Sequence, residues 1–166
     1  EVDRRVAEAL EAVGLTGLED VDPFILTKGS RQRVAVAGTL ATKPEVIILD
    51  EPTTGLDHRE LQGMMALIQR LNRTGHTIVI ITHAMDIAAA YARRTVLMRD
   101  GRIVADGPTR EVFADGSRLA GLGLTPSPIV AVANCLGIPA LTLDELVASL
   151  APSGGPPDPR IPDVLP

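Results

Sequence analysis

Two adjacent carboxylates, Asp50 and Glu51, close a run of four large apolar residues, Val46-Ile47-Ile48-Leu49. A histidine, His83, follows the next such run, Thr77-Ile78-Val79-Ile80-Ile81-Thr82. Burying charge is costly unless a partner compensates it, so acids that cap an apolar strand need a reason. The carboxyl ends of parallel strands are where open α/β sheets bind ligands. In that setting Asp50 would help to hold a divalent cation and Glu51 would act on water. The plainer alternatives are an acidic, solvated turn and an ordinary strand-end histidine. Thr27-Lys28-Gly29-Ser30 precedes a long helical pattern. Helix N-termini carry partial positive charge and free N–H groups and so bind phosphate. The Thr27 hydroxyl and the absent side chain of Gly29 would let a phosphate approach the backbone. By themselves, Thr27 and Ser30 also suit simple helix capping, as does Asp57 ahead of the next helical pattern.

The elements that must position these groups follow from periodicity. Val6, Ala9, Leu10 and Val13 share one helical face over 2–13, with Gly14 as a stop. Residues 15–24 read as a loop. A helix is expected from about 30 to 42, with Val34, Ala37, Leu40 and Ala41 toward the core, ended by Pro44. The strand 45–50 follows and, being short and continuously apolar, is expected to be buried on both faces. Leu61, Met64, Met65, Ile68 and Leu71 stripe a helix over about 58–73. Strand 77–82 is again apolar on both sides, and strand, helix and strand make a parallel βαβ unit. A short helix over 85–92 leads to Thr95–Met98 and Arg102–Ala105, which flank the hairpin dipeptide Asp100-Gly101. Further short helices are expected up to Phe113, over 117–122 and over 128–136. Thr142-Leu143-Asp144-Glu145 has capping-box spacing for a last helix.

The fold class is therefore α/β with a parallel sheet. The chain has 166 residues, 45% hydrophobic and 22% charged, within the range of globular domains. A net charge of −5 with no basic block, and only three aromatic residues, argue against a nucleic-acid partner. The lone Cys135 lies in an apolar stretch and is expected to be a buried, inert thiol.

Taken in order, the clusters resemble a known family. Leu26-Thr27-Lys28-Gly29-Ser30-Arg31-Gln32-Arg33 resembles the ABC signature, usually written LSGGQxQR. Val46 to Glu51 resembles the Walker B strand with its glutamate, Thr54-Gly55-Leu56-Asp57 the D-loop, and His83 the switch histidine. The resemblance implies a P-loop NTPase core of the ABC ATPase type, with ATP and Mg²⁺ as cofactors. Asp50 would bind Mg²⁺, Glu51 would polarise the attacking water, and His83 would contact the γ-phosphate. Thr27, Gly29 and Ser30 of the signature would face ATP held mainly by a second ATPase subunit, and Asp57 would make contacts across that dimer interface. The signature departs from the family pattern at Lys28, in place of a glycine, and at Ser30, in place of a glutamine.

No Gly-x-x-x-x-Gly-Lys-Ser/Thr stretch occurs, so the chain alone is expected to bind ATP poorly and not to hydrolyse it. The resemblance divides it into the end of a helical subdomain (1–25), the C-terminal half of the ATPase core (26–115) and a helical C-terminal extension (116–150), while proline-rich composition with little apolar surface makes 151–166 an expected disordered tail. It is strongest toward the ATPases of energy-coupling factor (ECF) importers. Asp100 to Pro108 and the segments around Thr125-Pro126-Ser127-Pro128 and Leu136-Gly137-Ile138-Pro139 support that. That family implies import of a vitamin or metal ion. The partners would be a second ATPase subunit, a transmembrane coupling protein and a substrate-binding membrane component, with the ATPase peripheral at the cytoplasmic face of the membrane. The alternatives are a non-enzymatic cassette that lends its signature to a partner, and a soluble ABC ATPase outside transport.

Overall fold

The computed structural model describes residues 1–151. Residues 1–83 form one compact unit and the chain from Ala84 onward a second. Among the described residues, no helix is long and apolar enough to cross a membrane.

The first unit opens with α1 (Val2–Ala12), which buries Ala9 and Leu10. Gly14, at φ 73°, ends it: its N–H reaches the Glu11 carbonyl and that of Leu15 reaches Leu10. Those two bonds satisfy carbonyls the last turn would otherwise leave unpaired. Asp22 then caps a single 3₁₀ turn, Pro23–Ile25, in the stretch expected to be all loop. Helix α2 (Lys28–Leu40) starts two residues earlier than its pattern suggests, because Thr27 serves as N-cap and accepts from the Ser30 N–H. Its buried residues are Gly29, Val36 and Ala37. Val34, Leu40 and Ala41, expected in the core, are half-buried at its margin.

Strand β1 (Val46–Asp50) pairs in parallel with β2 (Thr77–Ile81), Ile47 opposite Ile78 and Asp50 opposite Ile81. The crossover is α3 (His58–Arg73), which lies against β2 and α2 and buries Met64, Met65, Leu67, Ile68 and Leu71. The expectation that both strands are covered on both faces is corrected. Ile47 is fully buried, but Val46, Ile48, Val79 and Ile81 are 52%, 65%, 42% and 53% exposed. Side chains alternate across a strand, and this sheet has two strands among the described residues. Alternation puts Ile47, Leu49, Ile78 and Ile80 on one face and leaves the other aliphatic face open, with Asp50 on it.

In the second unit, α4 (Met85–Tyr91) precedes the antiparallel hairpin β3 (Arg94–Arg99) and β4 (Arg102–Pro108). Its turn residues Asp100 and Gly101 both have positive φ, 51° and 72°. That is the backbone an Asp-Gly hairpin turn needs to match strand twist. Helices α5 (Thr109–Ala114), α6 (Gly116–Gly121), α7 (Pro128–Leu136) and α8 (Leu143–Leu150) follow. Phe113, Leu119 and Val130 join Leu97, Ala105 and Val112 in one core. A smaller core holds Ala133, Ala140 and Leu146.

Two expectations fail here. Cys135 is exposed: α7 buries Val130 and Ala133, and a residue two positions beyond Ala133 turns about 200° from it at 3.6 residues per turn. The capping box of α8 is half formed. Thr142 accepts from the Glu145 N–H, but the Glu145 carboxylate goes to the Leu141 N–H and to Arg110. The tail expected over 151–166 falls, from Pro152 on, outside the described residues.

Candidate functional site

The ends of β1 and β2 lie side by side, and the parallel pairing extends one step further: the Glu51 N–H donates to the Ile81 carbonyl at 2.9 Å. The chain turns sharply there, with Glu51 at φ 46°. That left-handed conformation costs a non-glycine residue about 1–2 kcal/mol, and such strain concentrates at functional sites. It is held by a convergent set of donors. Glu51 Oε1 accepts from the backbone N–H of His83 at 2.9 Å and meets His83 Nδ1 at 2.6 Å. Its Oε2 accepts from Thr54 Oγ1 at 2.9 Å and, more weakly, from Thr82 Oγ1 at 3.4 Å. These bonds, His83 first and Thr54 next, hold the Glu51 carboxyl below its ordinary range. The His83 side chain is 81% exposed. With Nδ1 engaged by Glu51, its Nε2 makes no hydrogen bond among the described residues.

Asp50 differs from its neighbour. It is exposed on the open face of the sheet and makes no side-chain hydrogen bond or ion pair among the described residues. No group of three or more His, Cys, Asp or Glu side chains among them could hold a metal. One free carboxylate beside a glutamate still fits Mg²⁺, which keeps several waters and is bound by one or two carboxylates together with substrate phosphates.

At the expected phosphate edge, Thr27 to Ser30, the backbone N–H groups of Gly29 and Ser30 are already engaged. Thr27 Oγ1 accepts from the Ser30 N–H at 3.2 Å and donates to Ser30 Oγ at 3.2 Å. The Gly29 N–H, expected to be free for a phosphate, donates instead to Glu60 Oε1 at 3.3 Å. A Cβ on Gly29 would fall 2.9 Å from the Glu60 carboxyl carbon, so glycine is what admits this carboxylate. The other oxygen, Glu60 Oε2, accepts from the Asp57 N–H at 3.4 Å, and Asp57 Oδ1 accepts from the Glu60 N–H at 2.8 Å. Asp57 is thus the N-cap of α3 in a complete capping box. Across from it, the Lys28 ammonium covers Gly55: a Cβ there would meet Nζ at 2.1 Å.

Residues 1–54 match the ABC transporter family model. A protein of Caldanaerobacter subterraneus described as an ABC transporter ATP-binding protein is 54% identical over 148 residues, 89% of this chain and 26% of its own length. The energy-coupling factor transporter ATP-binding protein EcfA1 of Symbiobacterium thermophilum is 46% identical over 158 residues, 90% of this chain and 55% of its own. The chain belongs to the ABC transporter ATP-binding family. Solved ABC cassettes share the fold. CbiO1 from Clostridium perfringens, part of the ABC transporter complex CbiONQ, superposes with a TM-score of 0.62 at 36% identity, over 78% of this chain and 52% of that one. Another ATP-binding cassette of an ABC transporter gives 0.66 at 25% identity, over 74% and 50%. The ABC chain described here spans about half or less of the length of the curated relatives it matches.

Within this ABC fold, Glu51 and His83 bond to each other at the carboxyl ends of β1 and β2, and Asp50, next to Glu51 in the chain, stands on the open face without a side-chain partner among the described residues. Thr27, Gly29, Ser30 and Asp57 form a second group, joined by Glu60. Three participants escape a reading of the sequence: Thr54, Thr82 and Glu60. Glu60 carried a usable signal, since Asp57-His58-Arg59-Glu60 has capping-box spacing. Nothing in the sequence links Glu60 to Gly29, 31 residues away.

Proposed function

We propose that this chain is the signature-to-switch part of an ATP-hydrolysing subunit that powers an ECF-type importer. The observation that carries the proposal is the Glu51–His83 pair at the ends of adjacent parallel strands. A strained glutamate, held as a carboxylate by His83 and Thr54, is a formed acceptor for the proton of an attacking water. His83, oriented through Nδ1 by Glu51, has its Nε2 side open toward a terminal phosphate. Asp50 is the residue that would hold Mg²⁺, which when bound neutralises phosphate charge. Catalysis of phosphoryl transfer is mostly positioning and charge stabilisation, and these side chains suit that task.

Thr27, Gly29 and Ser30 would serve nucleotide held by a second ATPase subunit, with Asp57 at the interface between the two. Residues 26–115 would be the C-terminal half of the ATPase core, and 116–150 an extension that helps to pair cassettes. A transmembrane coupling protein and a membrane substrate binder complete the assembly, at the cytoplasmic face of the membrane. A vitamin or metal ion is the cargo the ECF likeness supports. Hydrolysis is assigned to the full-length protein, since residues 1–166 contain no phosphate-cradling glycine-lysine loop.

The test is Glu51→Gln in the full-length subunit, assembled with its partners. Hydrolysis should fall about a hundredfold or more, the usual size of a general-base effect, while ATP still drives the two ATPase subunits together. Near-normal turnover would overturn the role of Glu51.

A further inference from the structure

Glu60 Oε1 holds the Gly29 N–H, a donor that the signature reading gives to phosphate. The first turn of α2 offers two N–H groups beyond Lys28, and both are spoken for: Ser30 by the Thr27 hydroxyl, Gly29 by Glu60 Oε1. The second bond is long, 3.3 Å, as is that from Asp57 to the other oxygen, 3.4 Å. The carboxylate is therefore shared between two donors and held tightly by neither. It is also half-buried and anionic, at the positive end of a helix, where an anion is favoured.

We infer that Glu60 is an internal stand-in anion for the signature turn, which nucleotide phosphate must displace from the Gly29 N–H before that turn can bind it. The inference rests on the proposed role of Thr27 and Gly29 toward ATP and adds a competitor to it. When phosphate takes the Gly29 N–H, Glu60 Oε1 loses its partner, and like charge pushes the carboxylate away. Its remaining anchor is the Asp57 N–H. The loop from 52 to 57 is then bracketed by two carboxylates: Glu60 at Asp57, and Glu51, which takes the Thr54 hydroxyl at 2.9 Å. Occupation of the signature is thereby felt along the loop that leads to this chain's own Glu51. Lys28, with no ion pair among the described residues, remains as the cation beside the vacated turn.

The sign of the effect distinguishes competition from support. If Glu60 merely braced the fold, its loss would weaken ATP use. As a competitor, its loss strengthens it. In the assembled full-length ATPase, Glu60→Ala should lower the KM for ATP about three- to tenfold, the factor for one competing hydrogen bond, and Glu60→Gln, which loses the charge but keeps an acceptor oxygen, should lower it less. Turnover at saturating ATP should not rise. A KM unchanged or raised in Glu60→Ala overturns the inference. A wild-type assembly without ATP hydrolysis overturns the functional reading, and this inference falls with it. The contact itself is read without nucleotide. In the 166-residue chain, Glu60→Ala should move the amide proton shift of Gly29, distant in sequence, together with that of Asp57. No movement at Gly29 refutes the contact.

Discussion

Asp57 has two assignments, cap of α3 and contact across a subunit interface, and substitutions can separate them. Its Oδ1 accepts from the Glu60 N–H at 2.8 Å, and its extended backbone is that of an N-cap. Removing such a cap costs about 1 kcal/mol, within a range of roughly 0.5–2. The lost carboxylate at the positive helix end adds about 0.3 kcal/mol, the low end of that interaction because Asp57 is exposed. Asp57→Ala should therefore destabilise the chain by about 1–1.5 kcal/mol. For a protein of this size that lowers Tm by roughly 2–6 °C. Asp57→Asn and Asp57→Ser keep an oxygen acceptor and should recover most of the loss. Urea unfolding followed by circular dichroism measures this, with the m value unchanged across the series. The reasoning is refuted if Asp57→Ala unfolds at the wild-type midpoint, or if Asp57→Asn is as unstable as Asp57→Ala. In the full-length ATPase, Asp57→Asn then reads the second assignment: stability near wild type with hydrolysis reduced assigns the carboxylate to the interface.

Two further outcomes follow from the site and the surface. The folded Glu51 carboxyl titrates below its ordinary 4.5. Its stabilising contribution is thus complete above that value and lost as pH falls through the lower folded one. His83→Ala should raise the Glu51 titration toward 4.5 more than Thr54→Ala does, as read from the side-chain carbon shift, and no movement in either would contradict the geometry. Cys135, exposed on α7, should react with a thiol reagent in the native protein, and protection until unfolding would return it to the core.

The sequence announces what depends on local pattern. β-Branched runs mark β1 and β2, Asp100-Gly101 marks the hairpin turn, and strand ends place Asp50, Glu51 and His83 together before any coordinate is known. It is silent on what depends on neighbours. An apolar run such as Val46 to Leu49 says that both faces of a strand can be buried, not that something covers them. Apolar surroundings of Cys135 in the chain do not fix which side of α7 it occupies. The Glu60–Gly29 bond arises only because α2 and α3 touch. A motif assigns Gly29 a ligand, but the fold decides which anion holds its N–H first.

The left-handed backbone at Glu51 bears on how this protein tolerates change. Glycine would accept φ 46° freely, and asparagine more readily than glutamate. A glycine there would shed that strain but also lose the hydrogen bonds that His83 and Thr54 make to the carboxylate, so the two effects oppose each other. Efforts to stabilise the domain by screening should hold this position fixed, because relief of the backbone strain and loss of the chemistry would arrive through the same substitution.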